Sequence, residues 1–213
     1  MTPARHLTFG MILTGAAGFI DAVGFIELGG YFVSFMSGNT TQGGAALIEG
    51  AWPVVLMSLA LVALFFAGGV IANLLALSNL RWGQTLVSGA VLAGVAATLG
   101  LTFAGLPTSQ TMLVLAATAG AQNAVLAAHG TVRLGATFVT GALYNAAQDL
   151  AFALHGKTPP WRWLQHLMIW LGLFAGAALG ALLYKQVGIN ALVVPVVIYA
   201  AFTLGHFWDA RRR

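Results

Sequence analysis

An aspartate and a polar string interrupt a chain that is otherwise strongly apolar. Asp21 stands about fourteen residues into the first apolar segment, where a charged carboxylate costs roughly 3 kcal/mol. The string "SGNTTQGG" follows at residues 37–44. A carboxylate that changes protonation, next to a helix broken by glycine and polar residues, is typical of ion-coupled solute transport. The pattern therefore predicts a solute site with a proton or cation partner.

The site is predicted to have two halves that meet at the membrane midplane. The second half is the similar stretch "TFVTGALYNAAQDL" at residues 137–150. Glycines there permit a helix break, and hydroxyl and amide groups offer hydrogen bonds to the freed backbone and to a solute. The predicted substrate-binding residues are Ser37, Gly38, Asn39, Thr40, Gln42, Thr140, Gly141 and Asn145.

Two carboxylates are candidates for proton or cation coupling. Asp21 is the first, and the alternative is a helix-packing carboxylate bonded to Ser, Thr or backbone groups. Asp149 is the second, because it shares a helix face with Asn145. Its alternative is a solvated position toward the cytoplasmic mouth. Gln122 and Asn123 either line the cavity or join helices by hydrogen bonds.

Composition points to an integral membrane protein and argues against several other classes. Of 213 residues, 59% are hydrophobic and only 7% are charged, too few charges to cover a soluble globule. The cations are scattered, which disfavours nucleic-acid binding. There is no cysteine and no phosphate-binding loop motif. His129 has no second ligand at metal-binding spacing. We expect no enzyme activity, metal or cofactor.

The chain reads as one membrane domain made of two similar halves. Eight apolar segments are predicted, at 7–28, 32–49, 53–79, 83–104, 109–129, 134–155, 162–184 and 189–208. "GFIDAV" matches "GAQNAV", "FMSG" matches "FVTG", and "FAGGVIANLL" matches "FAGAALGALL", in the same order. We therefore expect a first repeat at about 7–104 and a second at about 109–208, as in many transporter folds.

The charges favour one arrangement of these segments. If the segments at 32–49 and 134–155 each enter and leave the membrane on one side, every lysine and arginine except Lys185 is cytoplasmic, as are both termini. Each repeat is then three transmembrane helices plus one re-entrant or broken helix, and the odd number of crossings inverts the second copy. The alternative is eight full crossings, which gives a weaker charge bias.

One further pattern concerns packing. A four-residue spacing relates Gly172, Gly176 and Gly180. This spacing predicts a groove for a neighbouring helix. That helix belongs either to the same subunit or to a dimer partner. A chain of this length is small for a two-repeat carrier, which favours a homodimer, although nothing in the sequence sets the number of subunits.

The stretch "GFIDAVGFIELGGYFVSFMSGNTTQ" resembles the opening signature of the YoaK-like family of bacterial inner-membrane proteins. The likeness is sharpest over residues 15–44 and rests on Gly18, Asp21, Ala22, Phe25, Met36, Ser37, Gly38 and Asn39. The resemblance implies a compact, multi-pass protein of the cytoplasmic membrane that is suspected of being a permease. It implies no particular substrate.

The sequence thus predicts an all-α membrane protein that acts as a secondary transporter or facilitator for a small polar or ionic solute. Its partners would be that solute and the lipid bilayer. Two other functions stay open. A passive channel would share the broken helices but tolerate loss of the Asp21 charge, and a non-transporting scaffold or assembly protein would rely on the glycine groove.

Overall fold

The computed structural model describes residues 4–125 and 137–212, and these residues form helices without strands. This confirms the predicted all-α class. The helices are α1 (Ala4–Glu27), α2 (Met36–Ile48), α3 (Trp52–Ser78), α4 (Gly83–Phe103), α5 (Thr108–Gln122), α6 (Val139–Leu154), α7 (Arg162–Val187) and α8 (Val193–Arg212). A 3₁₀ turn, Gly188–Leu192, joins α7 to α8.

The helices divide into long and short ones. Four stretches are long and apolar enough to span a membrane: Leu7–Glu27, Trp52–Ser78, Gly83–Phe103 and Arg162–Arg212, the last of which contains both α7 and α8. By contrast, α2 has 13 residues, α5 has 15 and α6 has 16, whereas a full crossing needs about 20. The predicted segments 32–49 and 134–155 are therefore only partly helical among the described residues.

Glycine crossings bring α1 and α7 into close contact. A methyl group on Gly176 would overlap the carbonyl oxygen of Gly15, and one on Gly18 would overlap that of Leu173. Because neither glycine carries a side chain, the two backbones approach closely, which is how helices gain van der Waals contact in a membrane.

The same arrangement occurs between α3 and α5. A methyl group on Gly68 would meet the carbonyl of Ala117, and one on Gly120 would meet that of Phe65. The matches between "GFIDAV" and "GAQNAV" and between "FAGG" and "FAGA" pair Gly18 with Gly120 and Gly68 with Gly176. The α3/α5 crossing thus repeats the α1/α7 crossing position by position.

The remaining helices surround these two pairs. Helix α4 packs against α8 and α5, α2 packs against α3, and α6 packs against α7. The centre is filled by buried side chains such as Ile20, Val23, Met112, Leu115 and Tyr199. The outer faces of the long helices are apolar, with Leu56, Phe66, Phe174 and Leu182 exposed, as expected where helices face lipid.

Contacts at the helix ends show the relative directions. Helices α1 and α7 run the same way, since Met11 lies against Gly172 near their beginnings and the Tyr184 hydroxyl donates to Glu27 Oε1 at 2.8 Å near their ends. Helices α4 and α8 run oppositely, because Arg81, just before α4, donates from Nε to the carbonyl of Ala210 at 2.7 Å.

We predict that Gly176→Ala and Gly68→Ala both lower the melting temperature of the detergent-solubilised protein. Each added methyl group must push two backbones apart, which typically costs about 1–3 kcal/mol. Gly100→Ala is the matched control, because Gly100 is also helical and has open space around it. Equal melting temperatures for the three variants would contradict the close crossings.

Candidate functional site

Asp21 holds the loop that leads into α2. Its Oδ1 atom accepts hydrogen bonds from the backbone N–H groups of Val33, at 2.9 Å, and Ser34, at 2.7 Å. The Ser34 hydroxyl and the Phe35 amide also face the carboxylate. The acid therefore lies at the N-terminus of α2, where backbone N–H groups and the helix dipole both favour a negative charge.

Asn39 closes the same loop from the α2 side. Its Oδ1 accepts the N–H of Phe32 at 2.9 Å, and its Nδ2 donates to the Phe32 carbonyl at 2.6 Å. The side chain is fully buried. Both ends of the amide are thus occupied by the chain itself, so the structure gives Asn39 a loop-holding position rather than one open to a solute.

A related contact precedes α6. Asn123 Oδ1 accepts hydrogen bonds from both the backbone N–H and the hydroxyl of Thr137, each at 3.1 Å. Thr137 lies two residues before α6, and Ser34 lies two residues before α2. The sequence match pairs Asp21 with Asn123. Asp21 and Asn123 therefore both accept a backbone N–H two residues before a short helix. Asp21 does so with a carboxylate and Asn123 with a neutral amide.

The other predicted residues of α2 have mixed surroundings. Ser37 and Thr40 are exposed, and Gln42 is half-buried. The Thr40 hydroxyl donates back to the carbonyl of Met36 at 2.8 Å, which satisfies that donor locally. Gly38 faces the rings of Phe32 and Phe35, so its small size is needed for packing inside the loop.

The predicted residues of α6, namely Thr140, Gly141 and Asn145, are all exposed. The structure does not bring them to the polar string of α2. Helices α2 and α6 are both fully described, and they make no contact with each other. Each instead packs on the long helix that follows it, across a turn at Gly50 or Gly156 where φ is positive. The predicted meeting of two halves in one pocket is therefore not seen in this conformation.

Asp149 lies apart from Asp21 and forms a cluster with the start of α7. Its side chain is buried, and Oδ2 lies 3.1 Å from Arg162 Nε and 3.5 Å from His166 Nε2. The Thr158 hydroxyl donates to the Asp149 carbonyl at 3.3 Å. The position is thus near the beginning of α7, but the carboxylate is paired and buried rather than solvated.

The groove formed by Gly172, Gly176 and Gly180 is filled by α1 of the same chain. Gly172 faces the Met11 carbonyl, and a methyl group on Gly180 would lie 2.7 Å from the Phe19 oxygen. Of the two partners considered for this groove, a helix of the same subunit occupies it, so a dimer contact at the groove has no room.

A buried polar pair was not predicted from the sequence. The Tyr199 hydroxyl of α8 donates to Gln122 Oε1 at 2.6 Å, and both side chains are buried. Gln122 Nε2 has no protein partner. The sequence leaves Gln122 either lining a cavity or joining helices, and in the structure it joins α5 to α8. Tyr199 gives no such signal, because a tyrosine in an apolar segment does not reveal that it has a polar partner. Nearby, Ser88 Oγ and His206 Nδ1 lie 3.2 Å apart and join α4 to α8.

His129, weighed above as a metal ligand, and Arg133, one of the arginines placed on the cytoplasmic side, lie outside the described residues. Among residues 4–125 and 137–212, no group of three histidines or carboxylates is placed to hold a metal ion.

The long apolar helices and the polar loops held between them define an all-helical transmembrane protein. A family model described as "Protein of unknown function (DUF1275)" matches residues 9–205. The chain belongs to this DUF1275 family.

Two curated relatives agree with that assignment. The chain is 32% identical to the UPF0700 transmembrane protein RA0705 of Rhizobium meliloti (strain 1021), with 97% of this chain and 92% of the relative covered. It is 26% identical to the UPF0700 transmembrane protein YoaK of Bacillus subtilis (strain 168), with 74% and 73% covered. The predicted YoaK-like membership is thereby confirmed. No solved structure matches the chain significantly.

We predict that Asp21→Ala lowers the melting temperature much more than Asp21→Asn. Alanine leaves the buried amides of Val33 and Ser34 without an acceptor, at about 1–3 kcal/mol for each unpaired group. Asparagine keeps a side-chain oxygen, as Asn123 does in the second half. Thermal unfolding followed by tryptophan fluorescence measures both variants, with Glu49→Ala as the control. Equal losses for alanine and asparagine would contradict the acceptor role.

Proposed function

We propose that the protein is a secondary transporter or facilitator for a small polar or ionic solute in the bacterial cytoplasmic membrane. One observation carries the proposal: a carboxylate inside a membrane span binds the backbone that opens a short polar helix, and its counterpart in the other half is neutral. An intramembrane acid of this kind marks ion or solute pathways more often than it marks simple packing.

The proposed architecture is two inverted repeats, α1–α4 and α5–α8. The end of α1 lies beside the end of α7, and α8 returns from there to finish beside the start of α4. Helix α3 ends just before that same point, so its beginning at Trp52 is on the side of Glu27. Both ends of the α2 region then share one side, which supports a re-entrant α2. The paired glycine crossings and the paired Asp21 and Asn123 contacts support the inversion.

The distribution of cations supports a cytoplasmic position for both termini. Arg81, Lys157, Arg162 and Arg211 belong to the face where α1 begins and α8 ends, whereas Lys185 belongs to the opposite face. Lysine and arginine are enriched in cytoplasmic loops. On this orientation α2 enters the membrane from outside and α6 enters from the cytoplasm.

The solute would contact the exposed polar positions of the two short helices. These are Ser37 and Thr40 on α2 and Thr140 and Asn145 on α6. Hydroxyl and amide groups at membrane depth are tolerated where they line a water-filled path. Because α2 and α6 are separate in this conformation, each would serve the mouth on its own side of the membrane.

Asp21 would couple solute movement to protons or cations. The ionised carboxylate accepts the Val33 and Ser34 amides, and a neutral one is a weaker acceptor. Protonation would therefore loosen the loop before α2 and change the outer mouth. Such a difference between two states is the physical requirement for coupling.

Cysteines at positions 31 and 49 should react from the same side of the membrane. The chain has no native cysteine, so Tyr31→Cys and Glu49→Cys are labelled without background by an impermeant maleimide on whole cells. Lys185→Cys should be labelled from outside, as Tyr31→Cys and Glu49→Cys are. Lys157→Cys should not be labelled on whole cells. Labelling of positions 31 and 49 from opposite sides would rule out a re-entrant α2.

Asp21→Asn should abolish coupling while leaving the folded protein intact. A metabolite library is first screened for solutes that raise the melting temperature, since a bound solute stabilises the folded state. The best hit is then supplied to proteoliposomes with a pH-sensitive dye inside. We expect solute-dependent proton flux to fall by about tenfold or more, and Glu49→Gln to keep it.

Uptake of the solute itself, measured in the same proteoliposomes, separates the two other functions. Flux that does not saturate and survives Asp21→Asn indicates a passive channel. Absence of any flux in protein with a normal melting temperature indicates a scaffold or assembly protein. Either result overturns the coupled transporter.

A further inference from the structure

Arginines and aromatic rings from two parts of the chain meet where α8 ends. The group comprises Arg81, Trp82, Phe207, Trp208 and Arg211 and is called the arginine–tryptophan cluster below. Arg81 Cζ lies 5.5 Å from the Trp82 ring centre, and Trp82 and Phe207 are 5.5 Å apart. Arg211 Cζ lies 5.1 Å from Phe207 and 5.9 Å from Trp208. Cations over aromatic faces are attracted to the ring quadrupole, which helps to position them.

The cluster lies where a membrane surface is expected. Tryptophan rings favour the level of the lipid headgroups, and Trp208 is exposed. Leu80 directly precedes Arg81 in the chain and Leu77 is in the last turn of α3, and they are 96% and 77% exposed although both are strongly apolar. Arginines next to exposed leucines form a surface with one part suited to a phosphate and another suited to an acyl chain.

The described residues of this surface carry more positive than negative charge. Arg81 precedes α4, and the last turn of α8 contains Arg211, Arg212 and one carboxylate, that of Asp209. His206 is half-buried and lies against Ser88 rather than at the surface. Two guanidinium groups held on one set of rings repel each other. An anion bound beside them would reduce that repulsion.

One arginine of the cluster also has a packing role. Arg81 Nε donates to the Ala210 carbonyl at 2.7 Å, and its terminal nitrogen lies 3.4 Å from the Arg211 oxygen. These bonds satisfy carbonyl groups at the end of α8 that have no intrahelical donor. Arg81 therefore fixes the cluster in place, and Arg211 and Arg212 are the residues to vary.

We propose that the arginine–tryptophan cluster binds the headgroup of an anionic phospholipid in the adjoining leaflet. The guanidinium group of Arg211 contacts the phosphate, Arg212, which is exposed and next in the chain, adds positive charge, and the lipid chain lies along Leu77 and Leu80. A basic surface at the cytoplasmic end of a helix attracts anionic lipid through such contacts. This proposal rests on the proposed orientation, in which α8 ends in the cytoplasm, and not on the transport activity.

The test measures lipid binding by the full-length protein in neutral detergent micelles. Short-chain phosphatidylglycerol is titrated while the melting temperature is recorded, and short-chain phosphatidylcholine is the neutral comparison. Phosphatidylglycerol should stabilise the protein at lower concentration than phosphatidylcholine. Arg211→Gln and Arg212→Gln should each weaken the apparent affinity for phosphatidylglycerol about fivefold. Lys185→Gln, in the last turn of α7 and away from the cluster, should leave that affinity unchanged.

Three results would overturn the proposal. The first is equal stabilisation by the two lipids. The second is an equal shift from inorganic phosphate alone, which would indicate a site for free phosphate. The third is an unchanged phosphatidylglycerol affinity in the double variant Arg211→Gln/Arg212→Gln. Because affinity is read from the titration midpoint, a lower starting melting temperature in a variant does not obscure the comparison.

Discussion

A backbone that leaves its helix inside a membrane must find partners for its polar groups, because lipid supplies none. The segment between α1 and α2 meets this constraint with two side chains. Asp21 accepts the amides of Val33 and Ser34, and Asn39 pairs with both polar groups of Phe32. These bonds explain why a costly acid is placed in α1 and why a buried asparagine opens α2. The polar string is held in place by them.

The two halves hold the backbone before their short helices with different side-chain groups. Asn123 supplies an oxygen to Thr137, as Asp21 does to Ser34, but without a charge. If an oxygen acceptor were all that the fold required, an amide would suffice in both places. The extra charge in the first half is therefore the feature that needs a functional explanation, and the proposed coupling role supplies one. The glycine crossings at Gly18 and Gly120 are alike in both halves.

The all-α class was predictable because membrane helices are long and apolar. The sites of the interruptions were also predictable, since an acid and a glycine-rich polar string are expensive in lipid. The hydrogen-bond partners of these polar residues could not be predicted. The pairing of Asn39 with Phe32 depends on how the loop folds back, and no local pattern encodes it. The expected contact between α2 and α6 was absent because each short helix packs on its sequence neighbour. Likewise, the pairing of Asp149 with Arg162 depends on the turn that joins α6 to α7.

Asp21 and Asn123 hold equivalent backbone groups at the entrances to α2 and α6. Amide hydrogen exchange at Ser34 and Thr137, measured by NMR in detergent micelles, tests this equivalence most directly. We predict that both amides exchange slowly, that Asp21→Ala accelerates exchange at Ser34 alone, and that Asn123→Ala accelerates exchange at Thr137 alone. Loss of one net hydrogen bond, at about 1 kcal/mol, corresponds to a roughly fivefold change. Fast exchange at both sites in the unsubstituted protein, or rates that neither substitution alters, would contradict the equivalence.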